Sequence, residues 1–360
     1  MSEFEKDGMT ISFTQLVDLF KACLGGIIVT AALCPFAIWM ARRMGLLDIP
    51  GSAVHKQHRR TTPAAGGIGL VLSMIVLVLV FQLLDRHIFP LLVGSFIIFL
   101  FGLWDDAKGL GAPVKLTGQI LASIFLVASD VSVRFLEGLS IPHIGGYIFI
   151  VLDWGVTVFW FVGITNAFNL IDSMDGLAVG IAGIAFAFFM VMSLTAQQTG
   201  LAIFSACLMG ICISLSAFNI SPARLFLGDS GAQTLGFTLA AVAVLYKPFN
   251  LPQASSWFLP ILVLGVPIFD TTLVVATRLI HHQPVFKGDC NHIYHRVVAL
   301  GLDPRRAVMV LHLATLILNL LAFIALSLPP LESTSIFFAV VIAGMILLVL
   351  LVRKTPELES

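Results

Sequence analysis

The chain has 360 residues, of which 58% are hydrophobic and only 11% are charged, and its mean hydropathy is +1.01. This composition lies outside the range of soluble domains and indicates a membrane protein. The 20 Lys and Arg residues balance the 20 Asp and Glu residues, so the net charge gives no reason to expect a nucleic-acid partner.

Apolar runs close to the length that crosses a hydrocarbon core recur from one end of the chain to the other. They predict an all-α polytopic membrane protein, a single domain over residues 1–360 with no separate soluble domain between the runs. We expect about eleven transmembrane helices, at residues 18–41, 66–84, 88–104, 115–131, 148–166, 176–195, 201–218, 232–246, 257–280, 306–327 and 335–352.

The loops between these helices carry an uneven share of positive charge. With the N-terminus outside, the inner loops and the C-terminus hold fifteen of the 20 Lys and Arg residues, and the outer segments hold five. Because Lys and Arg favour the cytoplasmic side, we expect the N-terminus outside and the C-terminus in the cytoplasm. The outer segment 132–147 has β-branched and aromatic residues around Gly-Gly, which predicts a small hairpin on the outer surface.

The first acidic segment, WDDAK at 104–108, places Asp105 and Asp106 at the end of the third predicted helix, and Lys115 begins the fourth. Paired carboxylates can share a divalent cation or act as a base, and a nearby Lys can contact a phosphate. An ordinary polar helix end explains the same residues about equally well.

The second acidic segment, NAFNLIDSMDGLA at 166–178, is the richest in polar side chains. Asn166, Asn169 and Asp172 are spaced by three residues, which puts them on one face of any helix that continues through them. Asp175 then precedes the sixth predicted helix, where an Asp also suits a cap. Four amide and carboxylate side chains in ten residues exceed what capping requires, so this segment indicates a functional site.

The third acidic segment, LFLGDSGAQTLG at 225–236, contains Phe226 and Asp229 and follows Asn219 at the end of the seventh predicted helix. The fourth, sixth and eighth predicted helices all begin on the cytoplasmic side, so their N-termini should present free backbone N–H groups there. That arrangement suits a diphosphate. Phe226 either stacks on a base or anchors the loop in the membrane.

Asp270 lies about ten residues before the cytoplasmic end of the ninth predicted helix, roughly 15 Å deep at 1.5 Å per residue. A carboxylate at that depth should face the bundle interior and meet a cation or a hydrogen-bond donor. A structural hydrogen bond and a catalytic role explain it equally well.

The loop 281–298 is rich in His and basic residues that could bind phosphate or sugar. It lacks the CxxC and HExxH spacings of zinc sites, so phosphate explains its charge better than zinc does. Its candidate ligands for a substrate are Asp289, His292, His295 and Arg296.

Residues from about 45 to 300 resemble the polyprenyl-phosphate N-acetylhexosamine-1-phosphate transferases, glycosyltransferase family 4. The resemblance rests on DDAKGLGAPVK, NAFNLIDSMDGLAVG, LFLGDSGAQTLGF, PIFDTTLVV and the DxxHxxH pattern of the His-rich loop. It implies transfer of an N-acetylhexosamine 1-phosphate, with N-acetylglucosamine as the expected sugar, from a UDP-sugar to undecaprenyl phosphate. UMP would be released, and Mg²⁺, or Mn²⁺ as a substitute, would be the cofactor. The resemblance also implies a bacterial inner membrane, with the active site facing the cytoplasm and the outer hairpin in the periplasm.

The resemblance also implies roles for the matching residues. Asp105 and Asp106 would serve the lipid phosphate, one of them as a base, with Lys115 nearby. Asp229 would be catalytic and would bind the metal together with Asp172, which would also contact the uridine. The remaining expected contacts to the UDP-sugar are Asn166, Asn169, Asp175, Asn219, Phe226, Asp289, His292, His295 and Arg296.

The chain departs from the family's usual pattern in its last loop, which reads DCNHIYH at 289–295 where D-R-x-H-[LI]-H-H is usual. The triple-His run of the peptidoglycan enzyme is missing. This absence and the eleven predicted helices favour the branch that starts O-antigen, enterobacterial common antigen and wall teichoic acid synthesis.

Two alternative functions stay open: a phospho-N-acetylmuramoyl-pentapeptide transferase, and an ion-coupled transporter that uses Asp270 and the loop carboxylates. Direct attack of the lipid phosphate and an aspartyl-phosphate intermediate also both stay open. Membrane lipid is an expected partner, and the sequence leaves open whether the protein forms a homodimer.

Overall fold

The computed structural model describes residues 11–48, 61–134, 146–248, 257–283 and 292–354. Within these ranges the chain forms thirteen helices and two short strands. The helices are α1 (Phe13–Met44), α2 (Gly66–Val80), α3 (Ile88–Lys108), α4 (Ala112–Ala128), α5 (Gly146–Ile171), α6 (Leu177–Thr195), α7 (Thr199–Asn219), α8 (Gly228–Leu245), α9 (Leu259–Val263), α10 (Gly265–Ile280), α11 (Ile293–Ala299), α12 (Pro304–Leu326) and α13 (Pro330–Lys354). The strands β1 (Leu47–Asp48) and β2 (Thr62–Pro63) pair antiparallel.

Seven of the described helices are long and apolar enough to cross a membrane, namely α1, α3, α5, α6, α7, α12 and α13. Large apolar side chains point outward from them: Phe20 on α1 is 67% exposed and Ile342 on α13 is 52% exposed. Contiguous apolar surface of this kind is typical of helices that face lipid. The chain is therefore a predominantly helical, polytopic membrane protein, as its composition predicts.

Each of the eleven predicted helices has a counterpart, but three ends near the acidic segments differ. α5 continues to Ile171 rather than ending at residue 166, so Asn166 and Asn169 lie inside it. α3 continues to Lys108 and ends at Gly109, whose φ of 66° is left-handed, so Asp105 and Asp106 lie inside its last turns. α8 begins at Gly228 rather than at residue 232, which puts Asp229 in its first turn.

The prediction of one continuous helix over 257–280 is wrong. α9 ends at Val263 and α10 begins at Gly265. Pro267 lacks the backbone N–H that would bond to the Val263 carbonyl one turn earlier. Nδ2 of Asn319 on α12 donates to that carbonyl instead, at 3.0 Å. A neighbouring helix thus supplies the hydrogen bond that the carbonyl loses at the break.

α8 is the central helix of the bundle. Every residue from Ser230 to Ala243 is buried, and α8 packs against α2, α3, α5, α6 and α7. Close helix packing elsewhere depends on glycine: a Cβ at Gly210 of α7 would lie 2.1 Å from the Cys23 carbonyl oxygen of α1. Most of the hairpin expected at 132–147 lies outside the described residues, and residues 146 and 147 belong to α5.

Candidate active site

The three acidic segments meet at one end of the bundle, as the topology predicts. Lys115, at the start of α4, contacts Asp105 at the end of α3. Its Nζ also lies 2.7 Å from Oδ2 of Asp229, in the first turn of α8. We call these three residues the Lys115 cluster. It places one cation between two carboxylates that are more than a hundred residues apart in the sequence.

Asp106 has a different position from its neighbour. Its Oδ1 accepts from the backbone N–H of Asp229 at 2.7 Å, and its Oδ2 accepts from that of Ser230 at 3.1 Å. Gly228 makes room for this contact, because its φ is +68° and a Cβ there would lie 2.8 Å from Oδ2 of Asp106. The expectation that the α8 N-terminus presents free N–H groups to a diphosphate is therefore corrected: a protein carboxylate caps it.

Asp105 points away from Asp106, because adjacent residues of a helix point in directions about 100° apart. Its side chain is buried, and its Oδ1 accepts from the backbone N–H of Leu110 at 2.6 Å. Its Oδ2 contacts Lys115. The two adjacent carboxylates thus have separate tasks: Asp106 fixes the start of α8, and Asp105 balances Lys115.

Asp172 and Asp175 lie half-buried in the turn between α5 and α6. Burial raises the pKa of Asp172 well above its ordinary value, and the negative charges of Asp229, Asp175 and Asp106 raise it further. A divalent cation would offset this excess of negative charge.

Mg²⁺ is usually held by one or two carboxylates, with phosphate oxygens and waters completing its shell. Asp172 and Asp229 offer carboxylate oxygens of that kind, and they lie close enough for the charge of Asp229 to raise the pKa of Asp172. Among the residues that the structure describes, no group of three or more His, Cys, Asp or Glu side chains forms a metal site by itself. Phosphate oxygens of the substrates and waters would complete the shell of a bound Mg²⁺.

A buried group of amides lies one helical turn from the Lys115 cluster. Gln119 of α4 and Asn166 of α5 exchange two hydrogen bonds, at 2.7 and 3.2 Å, and Gln119 also donates to Oε1 of Gln233 on α8 at 3.1 Å. Gln119 follows Lys115 by four residues, and Gln233 follows Asp229 by four, so each pair shares a helix face. Asn166, expected to contact substrate, thus helps to fix α4, α5 and α8 together.

Asn219 also has a structural position. Its Oδ1 accepts from the backbone N–H of Gly176 at 2.8 Å, and its Nδ2 donates to the Leu225 carbonyl at 3.0 Å. The side chain is 3% exposed. It connects the turn that holds Asp172 and Asp175 to the segment before α8, and its contact with uridine stays a prediction.

Phe226 connects α8 to α2 through its backbone. Its N–H donates to the Pro63 carbonyl at 3.0 Å, and its own carbonyl accepts from the N–H groups of Ala65 and Gly66. The side chain is half-buried, as is that of Asn169 near the end of α5. Base contacts by these two side chains stay predictions.

Asp270 is fully buried and meets a backbone hydrogen-bond donor, which confirms the expectation from its depth. Its Oδ1 accepts from the backbone N–H of Ile293 at 2.6 Å, and its Oδ2 lies 2.9 Å from Nδ1 of His292. The described start of the His-rich segment therefore packs into the bundle against α10.

The remaining residues of that segment divide into two groups. Arg296 is 1% exposed and donates to the Leu351 carbonyl in the last turn of α13 and to Oγ1 of Thr277 on α10. In the structure Arg296 is therefore a buried link between helices, and its contact with substrate stays a prediction. His295 is half-buried against the ring of Tyr294, and Asp289 lies outside the described residues.

Tyr294 places this segment relative to the acidic turns. Burial raises the pKa of Tyr294, and the negative charge of Asp175 raises it further. The start of α11 therefore lies close enough to the α5–α6 turn for the charge of one to affect the other.

Residues 88–247 match glycosyl transferase family 4. The chain is 31% identical to a probable undecaprenyl-phosphate N-acetylglucosaminyl 1-phosphate transferase of Bacillus subtilis, over 91% of this chain and 90% of the relative. It is 29% identical to a decaprenyl-phosphate N-acetylglucosaminephosphotransferase of Mycobacterium tuberculosis, over 88% of this chain and 85% of the relative.

A phospho-N-acetylmuramoyl-pentapeptide-transferase of Carboxydothermus hydrogenoformans is similarly close, 32% identical, but the match covers 72% of this chain and 83% of the relative. The extent of these matches decides the family, and the chain belongs to glycosyl transferase family 4.

Proposed function

We propose that the protein transfers N-acetylglucosamine 1-phosphate from UDP-N-acetylglucosamine to undecaprenyl phosphate, releases UMP and so initiates a cell-envelope polysaccharide. The observation that carries the proposal is the Lys115 cluster, one cation between Asp105 and Asp229 at the end of the bundle where the α5–α6 turn also lies. The two relatives named for N-acetylglucosamine transfer match over most of both chains, which favours this sugar.

The reaction joins two anions. An oxygen of the lipid phosphate attacks the β-phosphorus of the UDP-sugar, the bond from that phosphorus to the bridging oxygen breaks, and UMP leaves with the bridging oxygen and its electron pair. Repulsion between the reactants and the charge that spreads over the transferred phosphoryl group both need nearby positive charge. Lys115 supplies one such charge and can exchange a carboxylate partner for a phosphate oxygen.

Asp229 and Asp172 are the residues that would hold Mg²⁺. When bound, the ion would neutralise phosphate charge and orient the diphosphate. Lys115 contacts Asp229 directly. The Asp229 carboxylate would therefore interact with both the Lys115 ammonium group and the metal ion.

We assign acceptance of a proton from the lipid phosphate to Asp105. Both oxygens of Asp106 already accept backbone N–H groups of α8, so Asp106 instead positions Asp229. Oδ2 of Asp105 becomes available when an incoming phosphate competes for Lys115. Direct attack inverts the configuration at the transferred phosphorus and an aspartyl-phosphate route retains it, so a chiral phosphorothioate substrate distinguishes the two.

We further propose that this end of the bundle faces the cytoplasm, with the N-terminus outside. The excess of Lys and Arg in the corresponding loops supports that orientation. Single cysteines introduced at Lys108 and at Lys247, in a variant lacking the native cysteines, should differ in labelling by a membrane-impermeant maleimide on intact cells. The first should be protected and the second labelled, and the reverse pattern contradicts the orientation.

The function is tested with purified protein, undecaprenyl phosphate, Mg²⁺ and a panel of UDP-sugars, scored by release of UMP. UDP-N-acetylglucosamine should be turned over, and chelation of the metal should stop the release. Turnover of UDP-N-acetylmuramoyl-pentapeptide alone would favour the peptidoglycan reaction instead. Absence of UMP with every sugar, together with substrate-dependent ion flux in liposomes, would favour a transporter.

A further inference from the structure

Asp270 is completely buried, and both of its oxygens are used by the start of α11. A buried ionised carboxylate costs several kcal/mol unless its oxygens accept hydrogen bonds. Oδ1 of Asp270 accepts from the Ile293 N–H at 2.6 Å, and Oδ2 lies 2.9 Å from Nδ1 of His292. Both oxygens therefore meet a polar partner at the start of α11.

An ionised carboxylate can only accept, so the hydrogen between Oδ2 of Asp270 and Nδ1 of His292 belongs to the ring. A neutral His292 then carries its one proton on Nδ1, and Nε2 remains unprotonated. The contact thus selects one tautomer and also fixes the orientation of the ring.

Capping of α11 alone does not explain this arrangement. A cap needs one acceptor oxygen, which a Ser, Thr, Asp or Asn at the N-cap position supplies locally. Here the N-cap residue is His292, its side chain makes no capping bond of its own, and the acceptor comes from α10, 22 residues earlier. The second oxygen of Asp270 contacts the His292 ring and not a backbone N–H of α11.

The position of the ring connects it to the acidic turns. His292 is 7% exposed, so neighbouring atoms surround the side chain and restrict its movement. Tyr294, two residues later, lies near Asp175 in the same turn as Asp172. The oriented ring therefore belongs to a segment that lies within electrostatic reach of the α5–α6 turn.

We infer that Asp270 is a positioning residue, which fixes the ring of His292 with its proton on Nδ1 and leaves Nε2 as the nitrogen that meets a phosphorylated reactant. The identity of that reactant rests on the proposed function. The ring geometry does not depend on it, so the two can be tested separately.

The first test is spectroscopic and needs no substrate. Protein labelled with ¹⁵N-histidine is compared with labelled His292→Gln, and the difference spectrum isolates the one ring. A protonated Nδ1 and an unprotonated Nε2 are expected in the neutral ring. In Asp270→Asn the new amide can donate to Nδ1, so the proton should move to Nε2; a ring protonated on Nε2 in the wild type would overturn the inference.

The second test is a double-mutant cycle on the rate of UMP release. Loss of a carboxylate behind a functional His typically costs about 10–100-fold, and we expect Asp270→Asn to lower kcat/KM by about that factor. In the His292→Gln background the same change should have less than about a twofold effect, because the two act as one unit. Equal losses in both backgrounds would show that Asp270 acts through the fold alone.

Thr277→Val is the matched control. It removes the hydroxyl that accepts from Arg296 and so weakens another link between α10 and α11 without touching His292. Its effect, whatever its size, should be the same in the wild-type and His292→Gln backgrounds. If the wild type released no UMP from any sugar, the proposed function would fail, while the ¹⁵N spectra would still decide the role of Asp270.

Discussion

The capping of α8 by Asp106 can be tested by replacing the carboxylate with an amide of the same shape. Asp106→Asn leaves one acceptor oxygen for the two N–H groups of Asp229 and Ser230, now at 2.7 and 3.1 Å. A buried donor without a partner costs about 1–3 kcal/mol, and loss of a negative charge at a helix N-terminus costs about 0.3–2 kcal/mol. Because the site is only part-buried, we expect a total loss of about 1–3 kcal/mol in the free energy of unfolding.

Asp229→Asn is the matched variant, since it changes the neighbouring carboxylate in the same way. The ion pair that it removes is partly exposed, with 25% of the Lys115 side chain and 35% of the Asp229 side chain accessible. Such pairs contribute about 0–1 kcal/mol, and removing this charge also relieves repulsion with Asp172. We therefore expect little change in stability from Asp229→Asn.

Both variants should abolish UMP release, for different reasons. Asp229→Asn removes a carboxylate that faces the reactants, whereas Asp106→Asn displaces it. Thermal unfolding in detergent, followed by intrinsic fluorescence at one scan rate, should show a lower midpoint for Asp106→Asn alone. A wild-type midpoint for Asp106→Asn, or an equal fall for both variants, would refute the capping role.

Three other changes test particular contacts. Gly228→Ala should destabilise the protein and lower UMP release, because a left-handed residue costs about 1–2 kcal/mol and its Cβ would press on Asp106; normal activity would contradict the close approach. Asn319→Leu should lower the unfolding midpoint with the KM for UDP-sugar unchanged, since the Val263 carbonyl loses its partner at about 1–3 kcal/mol; an unchanged midpoint would show that the break needs no support. Lys115→Gln should lower kcat for UMP release while the unfolding midpoint changes little. A Lys with a purely structural role would instead lower the midpoint and leave kcat nearly unchanged, and turnover and melting measurements on the same variant distinguish the two.

The gathering of the acidic segments could be predicted from the sequence, because the topology of successive helices decides which loops share an end. Asp105, Asp172 and Asp229 come together for that reason. The break between α9 and α10 could also be predicted, because Pro267 has no backbone N–H and so removes one hydrogen bond from any helix that contains it. The sequence does not show that Asn319 would satisfy the freed carbonyl, because that partner lies on another helix.

The separate tasks of Asp105 and Asp106 could not be predicted, since adjacent Asp residues look alike until the neighbouring helix is placed. Arg296 is a similar case: a basic residue in a His-rich loop suggests phosphate, yet the fold uses its guanidinium on the Leu351 carbonyl.

Gln119 lies outside the sequence motifs, and Gln233 lies within LFLGDSGAQTLG without an expected role of its own. Their spacing of four residues from Lys115 and Asp229 was the one available signal, and it acquires meaning only when α4 and α8 are side by side.

The central claim is that the carboxylates around Lys115 move a phosphorylated sugar onto a lipid. The most direct measurement uses UDP-N-acetylglucosamine radiolabelled at its β-phosphorus and follows the label into the organic phase with undecaprenyl phosphate present. The wild type should place the label in a lipid diphosphate in proportion to the UMP formed, and Asp229→Asn should place none there. Label that stays in water while UMP appears, or equal lipid labelling by Asp229→Asn, would contradict the account.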